Sequence, residues 1–227
     1  MTMPTLKRFQ RQGLAAAAVL ALAGCATGPK PADWQLASKG AIDRSVAAYL
    51  KGNTRVEAVE FALARSEISS TGRIDLMARG ELLHCASHVA SLVLEPCAGF
   101  EKMRQDAAPA ERAYADYLAG KLQTQDAALL PTTQRAVAVA GSDAAVEAIT
   151  DPLSQLVAAG VLLQTGRARP VVAQLAVDAA SSRGWRRPLL AWLGVQLALA
   201  EKGANDTEAA RLRRRIALTQ GDTKAAR

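Results

Sequence analysis

Punctuation at helix-length intervals constrains this chain more than any other feature. Glycines fall at Gly166, Gly184, Gly203 and Gly221, where a residue free to turn left-handed closes a helix. Asp151 and Pro152 open a segment, because the carboxylate accepts from a first-turn amide and proline lacks an N–H that would go unpaired there. Alanine, the strongest helix former, supplies 49 of the 227 residues, and β-branched runs are short. No period-two stretch of strand length occurs. The pattern predicts helices near 34–50, 54–69, 73–92, 109–122, 131–140, 142–150, 152–165, 168–183, 187–202 and 206–219. The expected fold class is all-α, made of stacked antiparallel helix pairs.

Within that pattern "AAGVLLQTGRA" and "WLGVQLALAEKG" superpose at an offset of 34 residues, with Gly160 on Gly194, Val161 on Val195 and Leu163 on Leu197. Thirty-four is the period of the tetratricopeptide repeat, a helix–turn–helix unit that stacks on its neighbours. The second copy resembles that repeat in part, with Trp192, Leu193 and Gly194 near its opening pattern and Ala209 or Ala210 near its second-helix alanine. The resemblance covers 152–218 and implies a short tetratricopeptide-like α-solenoid. Two generic helical hairpins account for the offset equally well.

The N-terminus carries an address. Lys7, Arg8 and Arg11 precede the apolar block "LAAAAVLALA" and then Gly24, the order of a secretory signal. Ten apolar residues are too few for the roughly 20 of a membrane-spanning helix. Leu22, Ala23, Gly24 and Cys25 resemble the lipobox of bacterial lipoproteins. The resemblance implies that residues 1–24 are removed and that Cys25 becomes the first residue, bearing a diacylglyceryl thioether and an N-terminal acyl chain. Three chains hold where one holds marginally, at about 0.8 kcal/mol per buried methylene. By the same resemblance an aspartate after the cysteine would retain the protein in the inner membrane; Ala26 stands there and implies the outer membrane. Residues 25–33 then form the lipidated cysteine and a proline-stiffened tether, 34–221 the helical domain and 222–227 a basic tail. Loss of the signal takes the formal charge from +7 to +4. In the envelope, mild basicity suits anionic lipids, glycans or acidic proteins rather than nucleic acid.

Cys85 and Cys97 are the remaining thiols, and in an oxidising compartment a disulfide is expected between them. A helix running on to Leu94 would leave Cys85 about 13 Å from its end at 1.5 Å per residue. The bridge therefore requires the helix to stop near Val89 to Ser91, with Glu95 and Pro96 turning the chain back. His84 and His88, the two histidines, lie one turn apart in "HCASH" and are the weak candidates for a shared metal. The helical wheel places them with Gly80, Ser87 and Ser91 on a polar stripe, opposite Ala78, Leu82, Cys85, Val89 and Leu92. That reads as a solvated surface, so no metal and no cofactor is expected.

Catalytic motifs are lacking: there is no G-x-S-x-G, H-E-x-x-H, phosphate-cradling glycine loop or C-x-x-C. Glu111 and Asp116, an imaginable glycan-cleaving pair, stand at i and i+5 on different helix faces. The function expected is a periplasm-facing helical scaffold for protein–protein interaction in envelope assembly or regulation, and not an enzyme. The alternative is an envelope enzyme handling a glycan or a metal at a site without a motif. For the scaffold, the last helix offers a docking face. Ala209, Leu212 and Ile216 make its inward stripe, leaving Arg211, Arg214 and Arg215 together outside. From Arg183 to Arg227 the chain carries a net +6, with Arg183, Arg186 and Arg187 clustered one helix earlier.

Overall fold

The computed structural model describes residues 30–221. The signal 1–24, the lipidation expected at Cys25, most of the tether and the tail with Lys224 and Arg227 lie outside the described residues. Within them the chain is all-α, and no helix is long and apolar enough to cross a membrane. The helices are α1 (Asp33–Lys51), α2 (Thr54–Ser69), α3 (Ile74–Ala90), α4 (Ala98–Glu101), α5 (Pro109–Leu118), α6 (Thr132–Ala140), α7 (Asp143–Glu147), α8 (Pro152–Gln164), α9 (Pro170–Ser182), α10 (Arg186–Lys202) and α11 (Asp206–Gln220), with a 3-10 turn at Thr124–Leu129 between α5 and α6.

Each expected helix is present, and the local chemistry explains its ends. Asp151 accepts from the Ser154 amide at 2.8 Å at the start of α8, and Asn53 and Asn205 do the same for α2 and α11. Gly221 closes α11 in the left-handed region, with φ 86°. Gly203 does not behave so: its φ is −83°, and the left-handed turn falls on Ala204 at φ 51°. The short α4 and the 3-10 turn are additions to the sequence reading, since neither carries an apolar period.

Loops of two to five residues join α1 to α2 and each of α8 to α11 to the next, so these neighbours run antiparallel. Helix α3 is the centre of the molecule and packs against α1, α2, α5 and α8. Its approach to α8 is close because α8 offers Gly160 there: a Cβ at Gly160 would fall 2.5 Å from the Val89 carbonyl oxygen. Around this contact lies the core of Leu82, Val89, Leu156, Leu162, Trp192 and Leu193. The glycine equated with it by the 34-residue offset has a different environment. Gly194 is exposed and a Cβ there would meet nothing within 4 Å.

Candidate functional site

Helix α3 does not present its polar stripe to solvent. Ser87 and Ser91 are buried, and His84 and His88 are half-buried beneath α1 and α2, so the expectation of solvated surface histidines is corrected. The wheel separated the two faces of α3 accurately, but α1 and α2 cover the polar face as α8 covers the apolar one.

Under that cover the histidines form the middle of a ladder of rings. Tyr49 from α1 stacks on His88 with centroids 4.2 Å apart and planes within 10°. His88 meets His84 at 4.5 Å, and His84 stacks on Phe61 from α2 at 4.2 Å and 13°. Cations close both ends, Arg187 lying 4.2 Å over the Tyr49 ring and Arg65 5.2 Å from that of Phe61. Each imidazole plane is thus fixed by an aromatic neighbour.

Glu57 of α2 joins the ladder from the side. Its carboxylate is buried, and its Oε1 stands 2.7 Å from His84 Nε2. No arginine or lysine pairs with it among the described residues. His88 Nε2 is buried without a hydrogen-bond partner, an arrangement that costs free energy unless something completes it. Burial first, then the neighbouring His84 and Arg187, depresses the His88 pKa to about 4, so this ring is neutral and its lone pair available at neutral pH. Burial likewise pushes the Tyr49 phenol up.

The cluster opens onto a cleft of about 590 Å³ between α2, α3 and the segment that follows α3. Cys85 and Cys97 lie along it with Cα atoms 5.7 Å apart and their sulfurs joined as a disulfide. The geometry is made by an early stop: α3 ends at Ala90, and Leu92 turns left-handed at φ 59°. On the same wall Glu81 is buried and paired with Arg65. The acids that might have suggested glycan cleavage are separately committed, Glu111 to Arg79 at 2.8 Å and Asp116 to Arg104 at 3.0 Å.

The second candidate surface is at the far end. On α11 Ala209 and Leu212 are buried and Ile216 packs on the core, while Arg211 and Arg214 are exposed and Arg215 is half-buried. Glu208 accepts from Arg211 at 2.6 and 2.7 Å; Arg214 and Arg215 form no ion pair among the described residues. The earlier arginines are not part of one face with these. Arg187 turns inward, donating to the Tyr49 carbonyl at 2.8 Å and to Thr54 Oγ1 at 2.9 Å, and Arg183 lies over Trp185. Arg187 is the residue whose role sequence reasoning missed, along with Glu57; neither carries a local motif.

Compared with protein-family models, curated proteins and solved structures, the chain finds no match.

Proposed function

We propose that this chain is a lipid-anchored envelope scaffold, held in the outer membrane through Cys25, whose helical body docks an acidic segment of another envelope protein on α11. The observation that carries the reading is the division of labour on that helix. Its apolar stripe is committed to the core, and Arg211, Arg214 and Arg215 line the other side, two of them with no acid to satisfy them among the described residues. An arginine ridge of this kind offers planar, bidentate donors for carboxylates. The signal ending in "LAGC" supplies the anchor. A body of helical hairpins suits such a role, since stacked hairpins present long outer faces without needing a catalytic pocket.

Crosslinking and pull-down from envelope membranes test the reading. The triple variant R211E/R214E/R215E is expected to lose the crosslinked partner that the native chain retains, and the native complex to weaken as salt rises. Partner retention by the triple variant, insensitive to salt, overturns the docking face. Cys25→Ser is expected to abolish acylation and outer-membrane partitioning; a variant that remains acylated and membrane-bound overturns the anchor.

A further inference from the structure

We infer that Glu57, His84 and His88 form a binding site for a zinc-class divalent cation, independent of the arginine ridge. One ligand atom from each residue lies within 4.8 Å of the other two. A tetrahedral ion with bonds of about 2.1 Å holds its ligand atoms roughly 3.4 Å apart, so rotamer-scale adjustment closes the site. Spacing at i and i+4 puts both imidazoles on one side of α3, and α2 brings the carboxylate across to them.

Three features distinguish this cluster from an ordinary histidine–carboxylate hydrogen bond. His84 and Glu57 are satisfied by each other, but His88 Nε2 is buried and unpartnered beside them; an ion gives that atom its partner. The ring planes are held by Tyr49 and Phe61, so little side-chain freedom is lost on binding. Glu57 is a buried carboxylate with no arginine or lysine paired to it among the described residues, which leaves its charge for the ion to neutralise.

The donor set selects the class of metal. Two imidazoles and one carboxylate suit zinc and its borderline neighbours, whereas calcium and magnesium favour all-oxygen shells. Three protein ligands leave a fourth position, and here all three residues line the cleft. That is the arrangement of an ion exposed to an incoming ligand rather than of a closed structural site.

Titration calorimetry of the untagged, chelator-stripped full chain in detergent, with its disulfide oxidised and Cys25 acylated or alkylated so that no thiolate contributes, tests the site. One equivalent of Zn²⁺ is expected to bind, with no heat from Ca²⁺ or Mg²⁺. His88→Ala and Glu57→Gln are each expected to weaken binding by more than the ~10- to 100-fold that outer-shell changes cost. Absence of Zn²⁺ binding, or variants that are helical by circular dichroism and bind as tightly as the native chain, overturns the inference. Co²⁺ gives a readout that does not depend on the variants folding. The native chain is expected to show the intense visible bands of four-coordinate cobalt, and the pale spectrum of a six-coordinate hydrated ion overturns the proposal.

Discussion

The α1–α3 end and the α10–α11 end of the molecule handle polar side chains in opposite ways. Around α3, Glu57, His84 and His88 are taken under neighbouring helices and held by stacked rings. On α11 Arg211, Arg213 and Arg214 stay outside, and among the described residues only Arg211 and Arg213 are paired, to Glu208 and Glu201. The backbone follows the same division. Gly160 of α8 exists for a close approach to α3, while Gly194 of α10 borders open space. Buried polar groups in a low-dielectric surround are costly unless satisfied, whereas exposed ion pairs contribute roughly 0–1 kcal/mol. Changes at the first end should therefore cost stability, and changes on the arginine ridge of the second should register in binding alone.

The sharpest contrast is between the two glycines. Gly160→Ala is expected to destabilise by more than about 3 kcal/mol, because the added methyl would meet the Val89 backbone and not a flexible side chain. Gly194→Ala is expected to stabilise by about 1 kcal/mol, the ordinary gain in an exposed helix interior. Thermal unfolding of both decides the point; the same sign for the two breaks the comparison. Cys97→Ser comes next, with a loss of about 3 kcal/mol expected from opening so short a loop, read by denaturant titration against the native chain with and without reductant. The smallest effect belongs to R211E/R214E/R215E, whose unfolding free energy should stay within about 0.5 kcal/mol of native. A larger loss would mean that the ridge is structural.

Much of the architecture was legible because its determinants are local. Asp151 before Pro152 and the stops at Gly166, Gly184 and Gly221 act within one helical turn, so the helices followed from reading along the chain. Helix rise and chain reach set the condition for the disulfide, an early stop, and α3 meets it by ending at Ala90. What surrounds a helix face is not local, and there the reading of "HCASH" failed. The wheel showed a polar stripe, and nothing in those residues told that α1 and α2 would cover it. Glu57 lies 27 residues from His84 and Arg187 138 residues from Tyr49, separations at which no spacing rule operates. The 34-residue offset matched residue types at 160 and 194 and carried no information on their surroundings, where one is buried against a carbonyl and the other faces solvent.

Trp192 adds a consequence in time. Its indole Nε1 donates to the Ala90 carbonyl at 3.1 Å, across 102 residues, and Arg187 caps Tyr49 at the end of α1 from the same helix. The C-terminal carbonyl of Ala90 therefore waits for α10, whereas that of Tyr49 already accepts from the Gly52 amide at 2.9 Å. Loop closure over such distances is entropically late, so α1 to α3 should collapse as a loose helical cluster and lock only in the final step. Quenching or shift of Trp192 fluorescence during refolding would mark that step, and a chain cut short before α10 would remain proteolytically soft however long it waits.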